Sequence, residues 1–193
     1  MSILFSIFKY LIFSLLLIAI SCSSNSSNKK QQESEERSVE EIYNSAMDYI
    51  NDNKYSKAHD EFIEVERLHP YSIWATRSQI MTSYVNYKLN KYADSVSGAK
   101  RYIELHPGAS DIDYAYYLIA LNYYEQINDY RRDQSFTRNA LEAFNNLIRR
   151  FPNSDYSKDA KLKLDLVNDH LAAKEMDIGR TYQNLDNYIS AIN

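Results

Sequence analysis

The chain has 193 residues, is 45% hydrophobic and 25% charged, and carries a net charge of −4. That length holds one globular domain plus processing segments. Three Gly and three Pro are too few for a turn-rich β fold, the acidic balance excludes a basic surface of the kind that holds nucleic acid, and a single Cys rules out an internal disulfide.

The first element is a leader. Lys9 precedes an apolar run, Tyr10–Ile20, closed by Ser21-Cys22. A cationic start, about ten apolar residues and a small residue at the junction predict a secretory signal over residues 1–21. An anchor helix over Ile3–Ile20 is the competing reading. It is opposed by Lys9 in its middle and by a run shorter than the roughly twenty apolar residues of a membrane span. Ala19-Ile20-Ser21-Cys22 resembles the lipobox of bacterial lipoproteins, which implies cleavage before Cys22 and lipid attachment to it. Ser23 in the next position, where Asp would retain a lipoprotein at the inner membrane, implies sorting to the outer membrane. Several acyl chains give stable anchoring where one holds only marginally. Residues 23–37 (SSNSSNKKQQESEER) contain no apolar side chain. They cannot bury surface, and residues 22–37 are expected to form a disordered tether.

From residue 38 to 193 the text turns helical and repetitive. Ser38-Val39-Glu40-Glu41 is a capping box opening a helix over about 39–51. Ile42, Ala46 and Tyr49 share one side of it. After Asp52-Asn53 a second amphipathic helix, Tyr55–His69, runs to Pro70, with Ala58 and Phe62 on one face that Ile63, Val65 and Leu68 widen. Trp74–Lys88 opens the second pair. The Tyr55–Pro70 text returns at Tyr92–Pro107 and at Arg138–Pro152, and a further copy begins at Tyr188. Small residues recur twelve apart, as Ala46/Ala58, Ser83/Ser95 and Gly179/Ala191. That spacing predicts close helix crossings. Small, aromatic, small, Phe and Pro in this register form the tetratricopeptide pattern. Asn86 departs from its aromatic and Ala99 from its Phe. Two irregularities stand out. Extra polar residues fall in a loop, Ile127–Phe136, and Asp155–Thr181 reads as one long helix feeding Gly179. The expected fold is all-α, a tetratricopeptide-repeat superhelical solenoid of antiparallel helix pairs, with about four repeats.

With these irregularities the chain resembles the BamD family, the tetratricopeptide lipoproteins of the β-barrel assembly machinery. The match is carried by Cys22, Tyr43…Ala46, Tyr55-Ser56-Lys57-Ala58…Phe62, the junctions Pro70–Ser72 and Pro107–Ser110, and Asp129…Arg132-Asp133-Gln134. Phe144…Phe151-Pro152-Asn153-Ser154 and Leu171-Ala172…Glu175 complete it. The family continues past residue 193, through the rest of the fourth repeat and a fifth. The resemblance implies a non-enzymatic, lipid-anchored component on the periplasmic face of the outer membrane that aids folding and insertion of outer membrane proteins. It implies as partners a BamA-type β-barrel assembly protein, other Bam lipoproteins and the C-terminal segments of unfolded outer membrane proteins. The alternative from another class is a different periplasmic tetratricopeptide lipoprotein, a pilotin or cell-division coordinator. A cell-wall hydrolase accessory is a third.

No catalytic constellation accompanies the repeats. His59, His69, His106 and His170 sit in no metal-ligand spacing, no Gly-rich phosphate loop or nucleophile motif occurs, and neither cofactor nor metal is expected. Acid pairs such as Asp60-Glu61 and Glu64/Glu66 read as a solvated helix face. Recognition is the expected use, because stacked pairs line an inner surface with their first helices. In this register Tyr43, Met47 and Ile50, then Ile80, Tyr84 and Tyr87, stand at groove positions suited to an extended or helical peptide, or are core against the next helix. Arg131 and Arg132 of the polar loop form a second candidate contact, or pair with carboxylates inside the fold.

Overall fold

The computed structural model describes residues 37–192. Cys22, the leader and the tether up to residue 36 lie outside the described residues. Eight helices follow in order: α1 (Val39–Asn51), α2 (Tyr55–Leu68), α3 (Ile73–Lys88), α4 (Tyr92–Leu105), α5 (Ile112–Tyr124), α6 (Ser135–Arg150), α7 (Asp155–Asn184) and α8 (Tyr188–Ile192). Each helix packs on its sequence neighbours, and α1, α3, α5 and α7 also touch the next member of that series. This is the stacking of a tetratricopeptide-type solenoid. Among the described residues there is no strand, and no helix is long and apolar enough to cross a membrane.

Three of the four first helices, α1, α3 and α7, start on serine caps, whereas α5 follows Asp111 without a side-chain cap bond. Ser38 accepts from the Glu41 amide while the Glu41 carboxylate accepts from the Ser38 amide at 2.7 Å, closing the predicted capping box. Ser72 Oγ accepts from the Ala75 amide and Ser154 Oγ from the Tyr156 amide. The turns inside pairs share a different device. Asn53, Asn90 and Asp186 have φ near +57° to +59°, a left-handed conformation that Asn and Asp tolerate better than other side chains. In each turn the following amide reaches back to close a Schellman motif, Lys54 N to Tyr49 O, Lys91 N to Asn86 O and Asn187 N to Tyr182 O. A tyrosine two residues on then donates to the same Asn or Asp side chain, at 2.8 Å (Tyr55), 2.9 Å (Tyr92) and 3.0 Å (Tyr188).

Small residues sit where the helices cross. Ala46 and Ala58 are fully buried with Phe62 and Val85. At the second crossing Ser95 Oγ donates to Ser83 O at 2.7 Å, and a Cβ on Gly98 would come within 2.4 Å of Ser83 Oγ. At the last crossing a Cβ on Gly179 would lie 3.3 Å from Ala191 O.

Two expectations need correction. Ile80 is not a groove residue. It is 3% exposed and joins Val96, Tyr102 and Leu118 in the core between α3, α4 and α5. Nor is the Glu64/Glu66 side of α2 uniformly solvated. Glu66 is half-buried, and loss of solvent pushes its carboxyl above the usual range, against the opposing influence of Arg101 and a bond from Gln79. Both follow from stacking, because the next pair covers a flank that faces water in an isolated repeat. At the departures from the pattern, Asn86 and Ala99, both side chains lie inside the core.

Candidate functional site: a tyrosine-lined face of the first helices

The first helix of each pair presents aromatic side chains to one continuous surface. On α1, Tyr43 meets the edge of Phe62 at 5.5 Å and lies against Trp74 of α3 at 4.8 Å, with the Arg77 guanidinium over the Trp74 ring. Burial raises the Tyr43 hydroxyl above its ordinary pKa despite the nearby Arg77. Met47 and Ile50 are half-buried against the cluster of Ala46, Phe62 and Val85.

On α3, Tyr84 packs against the cores on both its sides. Tyr87 leans toward Tyr92 with ring centroids 6.3 Å apart, and its hydroxyl donates to the Glu125 carboxylate at 3.0 Å. Burial, and then that carboxylate, push its hydroxyl up to about 12. Tyr114 and Tyr117 of α5 repeat the three-residue spacing of Tyr84 and Tyr87. Tyr156 of α7 closes the row, 5.3 Å from Tyr114 and stacked 5.0 Å from Tyr117. The Tyr117 hydroxyl donates to Asp159. Burial raises both the Tyr114 and Tyr117 hydroxyls, with Asp159 adding to the second. At the seam between α5 and α7, Ser154 Oγ donates to Asp113 at 2.6 Å, and in the neighbouring pair Tyr102 donates to Asp111 at 2.5 Å.

Tyr84 and Tyr87 are therefore brought together with Tyr114, Tyr117 and Tyr156, which sequence reasoning did not single out. The signal for α5 was present, a second Tyr pair three apart in a first helix. Tyr156 escaped because it opens the apolar period of α7 with Ala160, Leu164 and Val167, and so read as a packing residue of the long helix. Tyr43 and Met47 lie at the α1 end of the same surface. The arginine loop is separate. Arg131 rests on the Tyr130 ring, its Nε is 3.9 Å from Asp177 of α7, and its carbonyl accepts from Lys174 at 3.0 Å. Arg131 makes this pairing at the surface, and both Arg131 and Arg132 are exposed. Buried Gln134 folds the loop from inside, its amide nitrogen near the Tyr130 and Arg132 carbonyls and its oxygen accepting from Thr137.

Two hydroxyls of this row, those of Tyr87 and Tyr117, are committed to carboxylates, so the surface offers ring faces edged by negative charge. Such a face recognises apolar or aromatic side chains flanked by polar or cationic groups. Among the described residues no group of three His, Cys, Asp or Glu side chains is placed to hold a metal ion.

The family model described as YfiO, outer membrane lipoprotein, matches residues 35–193. The chain is 47% identical over 158 residues to the outer membrane protein assembly factor BamD of Caulobacter vibrioides, covering 82% of this chain and 52% of that protein. It is 41% identical to the protein of the same name from Rickettsia prowazekii, covering 79% of this chain and 61% of the relative. The Neisseria gonorrhoeae relative is 32% identical, with 83% and 64% covered. The chain thus spans about half to two thirds of the length of these curated relatives.

Proposed function

The chain belongs to the YfiO outer membrane lipoprotein family, and on that premise we propose that it is a non-catalytic component of the machinery that folds and inserts outer membrane proteins. The carrying observation is the match from residue 35 to 193 laid over a stack of helix pairs with a tyrosine-lined face. The names of the relatives, outer membrane protein assembly factors, support the same role.

In this reading Cys22 carries the lipid and holds the helical domain, residues 38–193, at the periplasmic face of the outer membrane through the tether 22–37. The partners are a BamA-type β-barrel assembly protein, other Bam lipoproteins and C-terminal segments of unfolded outer membrane proteins. Tyr43, Met47, Tyr84 and Tyr87, joined by Tyr114, Tyr117 and Tyr156, take the substrate segment. Apolar side chains on alternate positions of such a segment would lie on the rings. Arg131 and Arg132, both exposed, are offered to a partner at the loop. No observation favours a pilotin, a cell-division coordinator or a cell-wall hydrolase accessory.

Affinity purification of the full chain from its own outer membranes tests the role. Recovery of a β-barrel assembly protein supports it, and recovery of a pilus secretin or septal protein in its place removes it. Cys22→Ser tests the anchor separately, through release of the protein from the membrane fraction.

A further inference from the structure

A second groove lies on the other side of α5. Tyr116, Ile119 and Tyr123 stand roughly half a turn around that helix from Tyr114 and Tyr117. They form the floor of an open groove of about 440 Å³ between α4 and α6. Ile103 of α4 and Ala143 of α6 flank the floor. Asn139 and Asn146 stand along its α6 wall, seven residues and about 10 Å apart on one helix face. That interval is close to three residues of extended chain. The Asn139 amide offers a donor and an acceptor, and the Asn146 amide, whose oxygen is held by arginines, offers its N–H donors, which suits a peptide backbone.

The groove continues past Glu142 and Asn146 into a neighbouring depression of about 480 Å³ that holds Arg138, Arg149 and Arg150. Arg149 and Arg150 both donate to Asn146 Oδ1, at 3.1 and 3.0 Å, and the Arg150 guanidinium lies over the Tyr116 ring. Both are exposed, and the contacts that hold them are to an amide and a ring. Two cations held in place by neutral partners keep their charge available to an incoming anion. In a chain of net charge −4 this is a local cationic end on a groove with an aromatic and aliphatic floor, whose walls also carry Lys100, Glu104 and Glu142.

We propose that the groove between α4 and α6 binds an extended, acidic segment of a partner protein, its apolar side chains on Tyr116 and Ile119 and its carboxylates on Arg149 and Arg150. The proposal concerns a surface apart from the tyrosine row and does not rest on the assembly role.

The test is fluorescence anisotropy with the full chain in detergent and a labelled dodecapeptide of alternating Leu and Glu, beside its Lys-for-Glu counterpart. The acidic peptide is expected to bind at least tenfold tighter than the basic one, and more weakly as salt rises. R149E/R150E is expected to weaken it at least tenfold, and Asn146→Ala severalfold, while Tyr84→Ala changes it by less than twofold. Should the charge reversal disturb the fold by circular dichroism, R149Q/R150Q replaces it. Equal affinity for the two peptides, or an unchanged affinity in the arginine variants, overturns the proposal. So does displacement of the peptide by phosphatidylglycerol vesicles bound through the same arginines, which would make this a headgroup site. Dimerisation of the chain that disappears in R149E/R150E would overturn it in favour of a second copy.

Discussion

The first two helix pairs and the last one are built from the same local text but differ in what surrounds them. In the α1–α2 pair, Ala46, Ala58 and Phe62 are completely buried, because α3 closes over them with Val85. In the α7–α8 pair, Gly179 and Ala191 make the corresponding close crossing and the Asp186 turn copies the Asn53 turn, yet α8 has no buried residue. Ile189 is 79% exposed and Ile192 86%. Local sequence is enough to form a helix pair, whereas burial comes from the pair stacked on it. The two functions of the apolar residues therefore separate along the chain.

The widest expected difference is in truncation of apolar side chains. Phe62→Ala should cost about 3–5 kcal/mol and lower the melting temperature by roughly 10 °C. Ile189→Ala should stay within about 0.5 kcal/mol. Thermal and urea unfolding by circular dichroism measure both. Equal losses would mean that α8 is packed as tightly as α2 and would erase the contrast.

This division also explains what the sequence made readable. Helix bounds, the Ser38 capping box, the twelve-residue spacing of crossings and the long α7 helix are local facts, written in residues a few positions apart. Burial is not local. Ile80 looked like a groove residue because its position within α3 is set by register, but the flank it occupies is closed by α4 and α5. Glu66 looked solvated for the same reason. The tyrosine row was half legible: Tyr84 and Tyr87 could be placed from helix register alone, while Tyr156 joins them only once α7 is laid against α5. The Asn-x-Tyr turn was visible in the sequence at Asn53-Lys54-Tyr55 and Asn90-Lys91-Tyr92. It carried no meaning until the left-handed backbone and the tyrosine bond were seen together.

That turn gives a test of local formation in isolation from burial, because Asn53 and Asn90 are exposed. Asn90→Ala forces a Cβ-bearing residue without a local polar partner into φ near +59° and should cost about 1–2 kcal/mol. Asn90→Gly keeps the backbone but loses the Tyr92 bond, and should cost less than Ala does. The same pair of changes at Asp186 should alter helicity of the last turns and leave the global melting transition in place. A full-sized drop in the global transition at Asp186 would show that α8 belongs to the cooperative unit.

The two helical glycines sharpen the comparison further. Replacing Gly by Ala inside a helix is worth up to about 1 kcal/mol when space allows. At Gly98 the new Cβ meets Ser83 Oγ at 2.4 Å. The serine must rotate away and give up its bond to Gln79 O, so the gain is cancelled or reversed. Ser83→Ala in the same chain should restore it. At Gly179 the nearest atom is Ala191 O at 3.3 Å, and a five-residue helix packed on one neighbour yields by a few tenths of an ångström. Gly179→Ala should therefore be neutral to stabilising, by at most about 1 kcal/mol. Melting curves of the three variants decide the signs.

Charges make the smallest test. Asp177 pairs with Arg131 at 3.9 Å in the exposed half, and Asp177→Asn should change stability by less than about 0.5 kcal/mol. Glu66 is in the packed half, where loss of solvent raises its folded-state pKa. A folded state that holds the proton more tightly gains stability as pH falls, so the ionised carboxyl is a burden above its raised pKa and none below the unfolded value. Glu66→Gln should thus raise the melting temperature modestly at pH 7 and leave it unchanged near pH 4, where both states are protonated. Asp177→Asn should show no such dependence. An equal response of the two variants at both pH values would mean that stacking does not desolvate Glu66, and that the packed and exposed halves treat their charges alike.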